Sequence, residues 1–227
     1  MLVLSLELVQ YQPGAGPVPL AHLVAEPTGL VVLIAFLIEG TWRLARHISV
    51  IAHEGAHVVA GRSVGHKITS VKLYRNATGE TTTLGPDRFR PVIIAFAGYL
   101  GPSLFGLVAA CLIALDQITI ALGLALACLA IMLIFIRNVF GVISVVLNGA
   151  LVFFVLRYGT PQAQTVSACI LSWFMLFSGV RWVLMHGTGA RDAITLTRAT
   201  RIPRFVWVIF WLAITVAALW AGGHLLM

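Results

Sequence analysis

The chain has 227 residues, of which 59% are hydrophobic and 10% charged, and its mean hydropathy is +0.97. A water-soluble domain carries about 25% charged residues, and the 15 Lys+Arg and 8 Asp+Glu here are too few to cover a globular surface. This excludes a soluble enzyme, a disordered tail and a collagen-like rod, and leaves a chain whose solvent is largely lipid. The net charge of +7 does not mark a nucleic-acid binder. The basic residues sit singly or in small groups at the ends of apolar runs, with no contiguous face for phosphates. Cys111, Cys128 and Cys169 fall inside apolar stretches with no CxxC spacing. They read as small buried hydrophobes, not as a disulfide framework or a thiolate metal site.

Residues 1–27 gather Pro13, Pro17, Pro19 and Pro27, carry no Lys or Arg, and read as an exposed lead-in. Residues 28–227 read as one membrane-embedded domain. Its first apolar run, Thr28–Trp42, is short for a crossing and carries Glu39. Arg46–Gly61 is a moderately apolar helical stretch holding His53, Glu54 and His57. A polar stretch follows, in which Ile68–Arg75 is β-prone, Asn76–Gly79 is a turn and Glu80–Leu84 is a return strand. This predicts a small hairpin at about residues 66–86. The runs Pro91–Leu115, Gln117–Ile136, Val139–Leu156, Ala163–Val180 and Phe205–Leu226 are each long enough for one helical crossing at about 1.5 Å per residue. A short helix is expected over 192–200.

Charge counting sets the topology. If Arg46–Gly61 does not cross and the N-terminus lies outside, 14 of the 15 basic residues fall in the cytoplasm and only Arg157 lies outside. If that stretch does cross, the best split is 12 to 3. The positive-inside rule favours the first arrangement. The expected architecture is therefore an all-α polytopic membrane protein. It has about six transmembrane helices, a partly inserted helix entering from the cytoplasmic side, and a small cytoplasmic hairpin.

That partly inserted helix carries His53-Glu54-Gly55-Ala56-His57, an HExxH sequence. Residues i and i+4 share a helix face, so His53 and His57 can present ring nitrogens to one metal ion. Glu54 lies about 100° round the helix, where it can take a proton from a water on that metal. Zinc lowers the pKa of such a water to about 7 and polarises a carbonyl for its attack, the chemistry of zinc peptide hydrolysis. Composition alone would produce this pattern in roughly one such chain in two hundred. An ionisable cluster in an apolar helix is also costly and usually functional. The competing reading is two satisfied histidines and a glutamate reaching for the membrane surface.

Several stretches resemble the site-2 protease family of intramembrane zinc metalloproteases, in its compact bacterial branch without a PDZ domain. They are Arg43–His57, the threonine-rich Thr78–Thr83, Ala97-Gly-Tyr-Leu-Gly-Pro102, Arg137-Asn-Val-Phe-Gly141, and Arg191-Asp-Ala193 with Leu196, Thr200 and Pro203. The likeness runs from about residue 40 onward. It implies a bacterial cell membrane, one zinc ion per chain, Glu54 as the catalytic residue, and a transmembrane protein segment as substrate, with no nucleic-acid partner. Family members take a third ligand from an Asp-Gly pair in a later membrane helix, and this sequence has no Asp-Gly. Asp116 falls on the outer side. Asp192, after the flexible Gly187-Thr-Gly-Ala-Arg, is the preferred third ligand beside His53 and His57, with Asp87, His186 and His66 as substitutes. Asp192 reads equally as an N-cap or salt-bridged residue starting the short helix.

Other marked residues have structural readings first. Ala97, Gly98, Gly101 and Pro102 suggest close helix packing and a kink, or a span that opens for substrate. Asn138 and Asn148 suggest bonds to neighbouring helices, or a donor to a developing oxyanion. Trp173, Trp182, Trp207, Trp211 and Trp220 suggest anchoring and packing. Two other functions compete with proteolysis: a non-catalytic metal-binding scaffold, kept open by the missing Asp-Gly, and a transporter. The transporter ranks last because the spans hold almost no facing pairs of ionisable groups.

Overall fold

In lipid a backbone must satisfy its own N–H and C=O groups, so long apolar stretches become helices. The computed structural model describes residues 20–85 and 90–227. These form α1 (Leu20–Leu37), α2 (Glu39–Ser63), β1 (Lys67–Leu73), β2 (Gly79–Leu84), α3 (Arg90–Ala114), α4 (Ile118–Phe135), α5 (Val139–Tyr158), α6 (Pro161–His186), α7 (Arg191–Thr200) and α8 (Arg204–Leu226). Six of the helices, α1, α3, α4, α5, α6 and α8, are long and apolar enough to cross a membrane, and α2 is not among them. The protein is a multi-pass, helical membrane protein, and its described residues hold one small antiparallel sheet.

The expected elements shift in three places. First, α1 begins at Leu20, not Thr28, and contains Pro27. The sequence places this proline in an exposed lead-in. In the turn before Pro27, Thr28 Oγ1 donates to Val24 O (2.7 Å) and Trp173 Nε1 donates to Ala25 O (3.0 Å), so two carbonyls there take side-chain donors. Pro13, Pro17 and Pro19 lie outside the described residues. Second, the run Thr28–Trp42 breaks at Ile38, so that Glu39 opens α2. There it accepts from Arg43 Nε and Arg181 Nη2, each at 3.0 Å. Third, α6 continues past Val180 to His186. Arg181 does not end it, because its guanidinium lies over the Phe36 and Trp42 rings at 5.1 and 4.6 Å.

Helix α3 is the centre of the bundle, packed against α2, α6 and α8. It runs antiparallel to α6, with Ser103 against Gly179 and Gly106 O accepting from Ser172 Oγ at 2.9 Å. Trp211 of α8 is fully buried and donates to Phe96 O at 3.0 Å. Ile143, Leu147 and Leu151 of α5 stay exposed, as a lipid-facing surface requires. Asn148 bonds within its own helix, to Ser144 O at 2.8 Å, and not to a neighbour. Glu39, at the start of α2, meets Arg181 near the end of α6. His57, toward the other end of α2, meets Ile94 near the start of α3. Since α3 and α6 are antiparallel, both ends of α2 lie at one end of the bundle.

The hairpin sits at that end. Lys67 faces Leu84 and Leu73 faces Gly79, with an irregular step between Ile68 and Ser70. The turn puts Ala77 at φ 58°. The outer edge of β1 is covered: Arg137 N–H donates to Val71 O (2.9 Å), and the Asn138 amide accepts from Leu73 N (3.1 Å) and donates to Leu73 O (2.6 Å). Asn138 thus caps a strand, and does not bond a neighbouring helix. The outer edge of β2 has no strand partner among the described residues.

Candidate metal centre

The helical spacing brings the two imidazoles together, with His53 Nε2 and His57 Nε2 3.1 Å apart. His57 Nδ1 lies 2.7 Å from Ile94 O. A carbonyl only accepts, so Nδ1 carries a hydrogen in either charge state of the ring, and Nε2, turned toward His53, is the nitrogen that gives up its proton to ligate. Room for both rings comes from α3. A Cβ at Gly98 would strike the His57 ring and come within 2.8 Å of His53 Cε1. The small-residue motif in α3 therefore brings its backbone against the two histidines.

The third group arrives from α7. This helix is held by Ala193 and Leu196, both fully buried among Ala95, Tyr99, Leu100 and Trp211. Its N-cap is Ala190 with no side-chain cap, so Asp192 is not the N-cap but lies in the first turn. Asp192 Oδ2 stands 3.2 Å from His53 Nε2 and 3.4 Å from His57 Nε2. Burial pushes this carboxyl up, but hydrogen bonds and charge from the two histidines outweigh burial and hold it well below the usual carboxylate range.

His53, His57 and Asp192 are the metal-ligating type of cluster, with ligand atoms all within 4.8 Å of one another. Ligands about 2.0–2.1 Å from a tetrahedral ion lie roughly 3.3–3.4 Å from each other. The observed separations of 3.1, 3.2 and 3.4 Å form nearly that triangle. Two imidazoles and one carboxylate are also a donor set that zinc accepts. The residues present fit the ion.

Glu54 is 3% exposed and stands beside this triangle without joining it. Thr81 Oγ1 donates to Glu54 Oε2 at 2.6 Å, and Gly79 packs so closely on Glu54 that any side chain there would strike it. Tyr99 closes another wall. Its ring is edge-on to His53 at 5.1 Å and stacked on Trp211 at 4.4 Å. The cleft they belong to, about 880 Å³, lies between α2, the hairpin, α3, the end of α6 and α7. A separate apolar cavity of about 550 Å³ on the other face of α2 is lined by Ala52, Gly55 and Val59 and holds no acidic or basic group.

Of the other expected ligands, His186 lines the cleft, but its ring packs on Trp182 at 4.6 Å and stands outside the cluster. His66 is buried against Gly85, away from the cleft. Asp87 lies outside the described residues. The reading from sequence missed Gly79, Thr81 and Tyr99 as parts of the site. Its only signals were the threonine-rich turn and the small-residue motif around Tyr99.

No curated protein and no solved structure matches the chain. The Peptidase M50B-like family does match, over residues 27–222, from within α1 to near the end of α8. That span takes in α2, the hairpin, Gly98 and α7, and with it every group of the cleft. A bundle of six membrane-length helices, with an HExxH helix and an aspartate closing on one buried point, accords with that match, and the chain belongs to the Peptidase M50B-like family, the site-2 protease family.

Proposed function

We propose that the protein is a membrane-embedded zinc metalloprotease that hydrolyses peptide bonds in membrane or membrane-proximal segments of other proteins. The observation that carries this reading is the convergence of Asp192 on the His53–His57 pair, beside a buried glutamate and in an open cleft. His53, His57 and Asp192 hold the ion. Bound zinc supplies a Lewis acid that polarises the scissile carbonyl and lowers the pKa of water to about 7. Glu54 is the general base. It takes a proton from the attacking water as the C–O bond forms, and then returns one to the departing amine as the C–N bond breaks. Ile94 O keeps His57 in the ligating tautomer, and Gly98 leaves both rings their space.

A helical substrate hides its carbonyls in hydrogen bonds and must be unwound before cleavage. The free edge of β2 supports a mode for this, since an extended segment can add to it as a strand. The face of β2 bearing Gly79, Thr81 and Thr83 lies along α2 from Glu54 to Gly61, so an added strand runs beside the cleft. A proline at a β2 amide pointing away from β1 is then expected to lower cleavage without changing metal content. Unchanged cleavage removes this mode. We place the site on the cytoplasmic side of a bacterial cell membrane, on the charge asymmetry of the loops and the resemblance to the compact bacterial branch.

The second reading is a metal-binding scaffold without turnover, favoured by the family's Asp-Gly ligand being replaced here by Arg191-Asp192-Ala193. Glu54→Gln separates the two. General-base catalysis contributes about 10²–10⁴-fold, so in a protease this variant keeps its metal while uncleaved substrates accumulate in the membrane. Comparing the membrane proteomes of cells expressing wild type and Glu54→Gln is the test. Indistinguishable proteomes, with metal bound in both, contradict proteolysis and leave the scaffold.

A further inference from the structure

A buried carboxylate needs its oxygens satisfied. Glu54 Oε2 accepts from Thr81 Oγ1 at 2.6 Å. Glu54 Oε1 has no hydrogen-bond partner among the described residues, and Glu54 forms part of the cleft lining. The two oxygens are thus distinguished: Thr81 holds Oε2, while Oε1 lies in the space a Gly79 side chain would fill and takes no donor from the described residues. Strand alternation sets this up. Gly79, Thr81 and Thr83 are half-buried toward α2, while Glu80, Thr82 and Leu84 point out. Gly79 leaves space for the glutamate side chain, and Thr81, two residues on, supplies the donor. The hairpin does not fill the cleft, whose volume of about 880 Å³ remains with β2 in place. It acts as a wall that grips the carboxylate.

We propose that Thr81 is a positioning residue for Glu54, its hydroxyl fixing Oε2 so that Oε1 alone addresses the proton to be removed. The proposal rests on the reading of Glu54 as the base beside a metal. It adds that the strand offering its free edge to substrate also aims that base. Bracing β2 with an extended peptide and aligning Glu54 are then a single event, and a misaligned hairpin leaves the metal site intact but idle.

The test uses the full chain in detergent micelles, loaded with cobalt(II) in place of zinc. Its probe is acetohydroxamic acid, a small chelator that binds as acetohydroxamate and whose N–OH proton a neighbouring carboxylate accepts. The visible spectrum of cobalt reports both metal uptake and acetohydroxamate affinity, without needing a substrate. Glu54→Gln removes the acceptor. Thr81→Val removes the hydroxyl at constant volume, Thr81→Ser restores it, and Thr83→Val alters the same strand face away from Glu54. All five proteins, wild type included, are expected to bind one cobalt. Glu54→Gln and Thr81→Val then lose about tenfold in acetohydroxamate affinity, the order expected for a hydrogen bond to a charged group. Thr81→Ser and Thr83→Val stay within about twofold of wild type, inside the ordinary scatter of such contributions.

Wild-type affinity in Thr81→Val, with loss in Glu54→Gln, overturns the positioning role and leaves the metal-centre reading standing. Equal losses in Thr81→Val and Thr83→Val, or loss of cobalt itself in Thr81→Val, make the strand merely structural and also overturn it. Unchanged affinity in Glu54→Gln, or no cobalt in wild type, overturns the reading of the site and this proposal with it.

Discussion

Gly98→Ala separates the stability of the helix from the geometry of the site. In a helix interior, alanine in place of glycine stabilises by roughly 0.5–1 kcal/mol. At Gly98 the new methyl meets the His57 ring and stands 2.8 Å from His53 Cε1. Such overpacking costs about 1–3 kcal/mol. The rings cannot retreat freely, since His57 is tied to Ile94 O at 2.7 Å and His53 lies against Tyr99. The strain therefore falls on the ligand triangle. At about 1.4 kcal/mol per factor of ten, zinc affinity is expected to drop roughly 5- to 150-fold, while the opposing terms leave the metal-free protein between unchanged and about 2.5 kcal/mol less stable. Competition with a chelator of known affinity measures the first, and thermal unfolding of the metal-free protein measures the second. Gly123→Ala in α4, where a methyl meets nothing within 4 Å, is the control. Wild-type zinc affinity in Gly98→Ala would refute the claim that α3 fixes the histidines by close approach.

Two further expectations concern the frame around the site. Asn138→Ala strips the donor and the acceptor that cover Leu73. At about 1 kcal/mol per bond, hydrogen exchange at the Leu73 amide is expected to accelerate roughly tenfold or more, and an unchanged rate contradicts the cap. For topology, single cysteines replacing the exposed Glu80 and the exposed Gln117, in a variant without the three native cysteines, are labelled with a membrane-impermeant thiol reagent. Labelling of position 117 but not 80 in intact cells is expected, and the reverse pattern inverts the orientation argued from charge.

Much of the frame was legible because its causes are local. The crossings followed from length and apolarity, and the hairpin from β-prone residues about Asn76–Gly79. α7 was expected over 192–200 and spans Arg191–Thr200. The misread boundaries depend on distant partners. Pro27 sits inside a helix whose neighbouring carbonyls also take donors from Trp173 and Thr28, and Arg181 continues α6 because Phe36, Glu39 and Trp42 receive it. The site divides the same way. His53 and His57 are joined by helical period, so the sequence displays them. Asp192 reaches them only through the burial of Ala193 and Leu196 against α3 and α8, and sequence alone left it beside Asp87, His186 and His66. The Thr81–Glu54 bond links positions 27 apart across a turn and a strand. No local pattern encodes it. The glycines of α3 were read as packing, but not that Gly98 packs on the histidines.

Whether His53, His57 and Asp192 hold one metal ion is decided by metal content per chain in detergent-purified protein, wild type against Asp192→Ala. About one zinc per chain is expected in wild type and a sharp loss in the variant, since a site closed by three protein ligands is left with only the His pair. Zinc retained at full stoichiometry in Asp192→Ala, or no zinc in wild type after zinc is supplied, would contradict the three-ligand site.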